Sequence, residues 1–168
     1  MWRGIIVSIH ITPQPSSPTQ AVDEVRAVPG KGLEGDRYYS QQGYFSNKPG
    51  ADRQVTLIEI EAIQALQREG GIIMSSGDAR RNLVTQGVPL NHLVNKTFKV
   101  GEVALRGIRL CEPCDHLASL TEAKVLPGLI HRGGLRAEIL NEGIIRVGDE
   151  VIEETWAHPY ARPTFGRL

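Results

Sequence analysis

Apolar and polar positions alternate every second residue over most of this chain, and only one stretch keeps a helical period. Gly4 to Ile11 (Gly-Ile-Ile-Val-Ser-Ile-His-Ile) is β-branched and predicts a first strand. Thr12 to Thr19, with three prolines and two serines, predicts a surface loop. Ala21 to Val28 alternates again, and a glycine-rich loop from Pro29 to Arg37 follows it. Tyr38 to Asp52 is polar and predicts a covering segment, and Arg53 to Ile58 predicts a strand. Glu59 to Glu69 sets Ile60, Ile63 and Leu66 on one helical face beside Ala62, and Gly70-Gly71 supplies a C-cap. Pro89 to Val94 predicts a helical turn with proline at its start. Phe98 to Leu105 alternates around Gly101-Glu102 as a hairpin and runs on to Leu110. Asp115 to Val125 predicts a short helix. Gly134 to Leu140, Ile144 to Val147 and Glu150 to Glu153 predict three strands joined by turns.

The pattern sums to about eight strands and two or three short helices, a mainly β, barrel-like domain. The 168 residues are expected to form a single domain, with a core over about residues 20–155 and a polar tail over 158–168. Eighteen glycines and ten prolines, spread along the chain, fit short strands and frequent turns. Lys plus Arg equals Asp plus Glu at 19 each, so no global charge draws the chain to nucleic acid or an anionic membrane. Aromatic residues make up only 5%, which argues against a base-stacking platform. No apolar run reaches the ~20 residues of a membrane span, and the start lacks a signal-peptide layout. The expected location is the cytoplasm, where thiols stay reduced.

Three polar clusters are not explained by periodicity: Gly32 to Arg37, Arg80-Arg81-Asn82-Leu83, and Leu110 to His116. The last holds the only two cysteines, as Cys111-Glu112-Pro113-Cys114. A redox pair, half of a zinc site, two core thiols, or one working thiol beside a structural one are the competing readings. The thioredoxin-like context for a redox pair is missing. Zinc would need His116 and His131 at a spacing that fits no standard finger, so no zinc is expected. His10 and His158 read as surface or strand-end residues, and His92 lies in a polar turn. Glu112 reads equally as an acid or base beside the thiol and as an exposed strand-end carboxylate. Asp36 and Arg37 read either as a local ion pair or as pocket residues. Arg80 and Arg81, if on a strand, would point to opposite faces.

The order of these pieces resembles the MOSC domain, the family named for the C-terminal region of molybdenum cofactor sulfurases. The resemblance runs from about Gly32 to Val151, through Gly-Leu-Glu-Gly-Asp-Arg, Arg53 to Ile58, Arg80 to Leu83, Leu93 to Gly101, Glu112-Pro113-Cys114, Gly134 to Glu138 and Gly143 to Asp149. It implies a β-rich barrel related to the small β-domain of pyruvate kinase. It further implies that Cys114 is the family's single working cysteine, either a persulfide carrier or a molybdenum ligand, and that Cys111 is an extra structural thiol. Arg80 and Asn82 match an Arg-x-Asn motif that holds the pterin phosphate, with Arg81 where some relatives have proline. Asp36 and Arg37 are expected to line the same pocket.

On this reading the chain handles sulfur on Cys114 or binds the molybdenum cofactor (molybdopterin) to reduce N-hydroxylated compounds. Its partners would be a pyridoxal-phosphate-dependent cysteine desulfurase or a redox protein, together with a small-molecule substrate and neither nucleic acid nor membrane. A non-catalytic module that binds an anion or a partner through the same arginines is the alternative. Oligomeric state is not legible in the sequence.

Overall fold

The computed structural model describes residues 1–44, 46–48, 50–121 and 124–154. Seven strands close a barrel: β1 (Arg3–Ile11), β5 (Val55–Glu59), β6 (Leu83–Gln86), β7 (Thr97–Val100), β8 (Val103–Leu110), β9 (Leu135–Ile139) and β11 (Glu150–Glu153). Around the wall the order is β1-β11-β7-β8-β9-β5-β6 and back to β1. All of these pairs are antiparallel except β5–β6, which are parallel and joined by helix α1 (Ile60–Gly70). A parallel pair needs such a crossover, because a tight turn cannot return the chain in the same direction. β2 (Gln20–Val22) extends the end of β1, and β3 (Glu24–Val28), β4 (Gly32–Leu33) and β10 (Gly143–Arg146) form a separate small sheet.

The expected barrel-like, mainly β class is what the structure has, with eleven strands among the described residues in place of about eight. The extra ones arise from splitting and from very short pairings. The run expected as one strand from Ala21 to Val28 divides at Asp23, because β2 pairs with β1 while β3 pairs with β10. The Asp23 carbonyl accepts instead from Val147 N–H (2.9 Å). The tail over 158–168 and His158 lie outside the described residues.

Two apolar layers result. Alternation along β9 sends Leu135, Ala137 and Ile139 into the barrel, where they meet Ile6, Leu57, Phe98, Val103 and Leu105. On the outer wall, Ile58 and Val84 face away from that interior and are covered by Ala62, Ile63 and Leu66 of α1. Leu117 of α2 (Asp115–Leu120) and Val125 of α3 (Val125–Gly128) complete the cover. Helix α1 ends as its glycines suggest: Gly71 adopts φ 66° and donates to Gln67, and Ile72 donates to Leu66. Helix α2 is shorter than the pattern predicts. Thr121 leaves the helical conformation, its hydroxyl donates to the Leu117 carbonyl (2.8 Å), and the chain re-enters a helix at Val125 to bury that side chain against α1.

Candidate functional site

Leu83 is where β6 starts, so Arg80, Arg81 and Asn82 precede the strand instead of alternating along it. Arg80 takes the left-handed conformation, φ 55°, and that reversal lets both guanidinium groups line one cleft. The expectation of opposite faces fails for this reason. Arg81 is buried and serves the protein. Its Nε donates to Gly133 O (2.9 Å), Nη1 to Ala79 O (3.3 Å) and Nη2 to Cys111 O (3.1 Å). Asn82 is equally occupied: Oδ1 accepts from Thr56 N and Oγ1 (both 3.1 Å), and Nδ2 donates to His10 O (3.1 Å). Asn82 therefore ties β5, β6 and β1 together at the floor of the cleft. Arg80 is different. Nη1 donates to Ser17 O (2.7 Å), which pins the proline-rich loop, while Nη2 is buried without a partner.

Asp36 sits behind the wall, 3% exposed, and is not among the lining residues. Its carboxylate accepts from Thr12 N (2.9 Å) and Tyr38 N (3.2 Å) and lies 3.4 Å from Arg37 Nη1. Arg37 does line the cleft, with its guanidinium 4.9 Å from the centre of the Tyr38 ring. His10, expected as a surface or strand-end residue, lies near the end of β1 and is buried. Its Nε2 lies 2.9 Å from Ser8 Oγ, and burial lowers its pKa.

The opposite side of the cleft follows β8. Cys111 is 1% exposed, and its N–H donates to Gly134 O (2.7 Å). Gly134 has φ 111°, and a Cβ there would lie 2.0 Å from Leu57 O, so the chain passes here only as glycine. Cys114 is half-buried, with one flank on the apolar cover of the barrel and the other on the cleft. Glu112 accepts from His131 N (2.9 Å), which holds a loop and leaves the carboxylate partly engaged. His116 stacks on Tyr44, rings 4.1 Å apart and 12° from parallel. Burial, with the charges of Arg80 and Arg37, lowers the His116 pKa, so its ring favours the neutral form.

Two more arginines complete the cleft, Arg53 and Arg136. Both fall in the motifs that carry the family resemblance, but neither position reveals a role from sequence alone. The signal that finds Arg136 is register: it lies across from Thr56 on β5 and Arg109 on β8, on the outward face between buried Leu135 and Ala137. Register is not readable without the fold. Burial would raise the Asp52 carboxyl, but the Arg109 hydrogen bond (2.8 Å) and the charges of Arg53 and Arg136 hold it below the usual carboxylate range. Burial lowers Arg136, and the nearby Cys111 sulfur opposes this. Arg136 Nη1 donates to Asp52 O (3.4 Å), while Nε is buried without a partner.

The cleft thus gathers five guanidinium groups, the Cys114 thiol, Tyr44 and His116, with Glu112 the only carboxylate among its lining residues. The cleft has room for a few water molecules, about 60 Å³, and the space free of protein atoms in and before it is about 640 Å³. Buried donors without acceptors are rare in folded proteins and cost about 1–3 kcal/mol each. Two of them, Arg80 Nη2 and Arg136 Nε, belong to residues that line this arginine-rich cleft.

The MOSC domain family matches residues 41–152, which is most of the chain. The chain belongs to the MOSC domain family. That family is associated with molybdenum cofactor binding or sulfurase-related roles. Among curated proteins, no sequence match is found. Solved structures of the MOSC type share the fold. The YuaD protein from Bacillus subtilis superposes with a TM-score of 0.74 at 17% identity, covering 90% of this chain and 97% of that one. YiiM from Geobacillus stearothermophilus gives 0.68 at 17% identity over 90% and 75% of the two chains. YiiM from Escherichia coli gives 0.63 at 17% identity over 93% and 71%.

This MOSC domain has the donors an anionic cofactor needs. Arg80 and Arg136 offer unused N–H groups to an oxyanion, and Cys114 offers one soft ligand. Among the described residues no group of three His, Cys, Asp or Glu side chains could hold a metal by itself. A metal at Cys114 would therefore have to arrive with ligands of its own, as in a pterin dithiolene. No helix among the described residues is long and apolar enough to cross a membrane.

Proposed function

We propose that this MOSC domain handles sulfur for molybdenum-cofactor chemistry, with Cys114 as the sulfur-bearing residue and the arginine cleft as the seat of its anionic partner. The observation that carries the reading is the placement of one half-buried thiol in the same cleft as two guanidinium groups with unused, buried N–H donors. A persulfide is an anion near neutral pH, and a guanidinium-lined cleft favours anions over neutral ligands.

The sulfur donor would be a cysteine desulfurase that presents a persulfide. The Cys114 thiolate attacks its outer sulfur, a new S–S bond forms on Cys114, the old one breaks, and the donor leaves as thiolate. No net oxidation occurs. Arg80 and Arg136 would hold the phosphate of a molybdenum pterin, Asn82 and Asp36 would support the floor beneath it, and Arg37 would add positive charge. When bound, such a cofactor supplies two-electron chemistry suited to N-hydroxylated compounds.

Two measurements test this. Mass spectrometry after incubation with a desulfurase and cysteine is expected to show one added sulfur atom on Cys114. Protein produced with molybdate is expected to carry molybdenum that the Cys114→Ala variant loses. If folded protein shows neither, the sulfur and cofactor reading is wrong, and the cleft is an anion- or partner-binding module.

A further inference from the structure

The room in the cleft is small, about 60 Å³, enough for a few water molecules or one tetrahedral oxyanion. The two unused donors, Arg80 Nη2 and Arg136 Nε, belong to two residues that line this cleft, one preceding β6 and one on β9. The neighbouring cations are partly committed: Arg37 to Asp36, Arg53 to the Lys48 carbonyl, and Arg81 to three carbonyls. A small oxyanion is the kind of ligand that offers such orphaned donors an acceptor. The reactive group bordering the same space is a thiol, which attacks soft sulfur in preference to hard phosphorus.

From these features we infer a further activity, resting on the role of Cys114 above: the cleft accepts sulfur directly from a small sulfane-bearing oxyanion, with thiosulfate as its simplest member. The Cys114 thiolate attacks the outer, sulfane sulfur of thiosulfate. The S–S bond of the anion breaks with its electron pair on the departing group, which leaves as sulfite, and Cys114 becomes a persulfide. Charge and atoms balance, and no oxidant or reductant is required. Arg80 and Arg136 hold the sulfonate oxygens in the ground state and stabilise the charge that gathers on them as sulfite departs, as oxyanion donors do. Cyanide regenerates the thiolate by taking the outer sulfur as thiocyanate, which gives a coloured readout.

The test incubates the full chain with thiosulfate and cyanide and follows thiocyanate. Turnover is expected, with the intermediate carrying one added sulfur that fragmentation assigns to Cys114 and not to Cys111. Cys114→Ser is expected to abolish it, and inorganic sulfate to inhibit competitively. Arg136→Gln and Arg80→Gln are each expected to lower kcat/KM for thiosulfate by about a hundredfold. Their effect on loading from a desulfurase should be much smaller, because a thiolate leaving group needs no oxyanion donor. That difference separates an anion-holding role from general damage to the fold. Two outcomes overturn the inference: sulfur loading from a desulfurase but none from thiosulfate, which leaves the proposed function standing, or an adduct on Cys111. Loss of loading from both donors in the folded protein overturns both readings together.

Discussion

Arg81 and Asn82 in the cleft lining and Asp36 behind it direct their polar atoms to protein partners, while Arg80 and Arg136 in the same lining each keep one buried N–H with none. Arg80 and Arg81 are neighbours in sequence and make the contrast sharpest. One guanidinium closes three carbonyls and holds the segment after β8 that carries Cys111, and the other makes a single bond to Ser17 and stops short. Identical chemistry thus serves structure in one place and leaves a buried donor unused one residue away. What decides between them is the φ of 55° at Arg80, which swings its side chain off the strand path. A rigid, satisfied wall lets the unsatisfied pair stay fixed without a ligand, which is how preorganised sites avoid reorganisation at binding.

The wall should break first and hardest. Gly134→Ala forces a Cβ against the Leu57 carbonyl at an unfavourable φ, and a loss of about 4 kcal/mol or failure to accumulate folded protein is expected from denaturant melts. Asn82→Ala comes next. It strips partners from Thr56 N–H and the His10 carbonyl, and a loss of about 3 kcal/mol is expected by urea unfolding. The cleft should behave in the opposite way. Arg80→Gln is expected to change stability by less than about 1 kcal/mol, because the lost Ser17 bond is offset by removal of an unpaired buried donor. Sulfate at a hundred times its Kd should stabilise the parent protein by about 2.7 kcal/mol, and this gain should vanish in the same variant. If Arg80→Gln destabilises as much as Asn82→Ala, the division between wall and cleft fails.

The smallest effect is read on His116. Its pKa is lowered by burial and then by the positive charges of Arg80 and Arg37. Removing the Arg80 charge, or neutralising it with bound sulfate, is expected to move the ring back up toward its ordinary value. Sign follows directly, since less positive charge nearby makes protonation easier. An NMR titration of the imidazole measures it, and an unmoved midpoint would place the anion away from Arg80.

Much of the frame was legible because strand alternation and one amphipathic helix are local properties. The barrel class, α1 with its Gly71 cap and the hairpin through Gly101 all follow from spacing. Arg37, Arg80, Asn82 and Cys114 were found through motif order, and the structure gathers them around one cleft with Asp36 behind it. What escaped depends on partners far away in the chain. Arg136 becomes a cleft residue only through pairing of β9 with β5 and β8, and Arg53 only through the short helical turn at 51–53. The break at Asp23 likewise follows from which strand captures each half, and no single segment encodes that choice.

The pairing of Arg3 with Ile152 joins the two ends of the described strand order across nearly the whole chain. A hoop closed by its first and last staves has no intermediate shape that holds: until Glu150 to Glu153 has been synthesised, β1 and β7 each lack a neighbour. Closure over so long a separation is slow, since the loop entropy must be overcome before the contacts form. Every residue of the cleft, from Arg37 to Arg136, leaves the ribosome earlier than the strand that locks it. During that interval the thiol and the arginines exist without a shaped site between them. The sulfur chemistry proposed for Cys114 would thereby be confined to chains whose synthesis has passed β11.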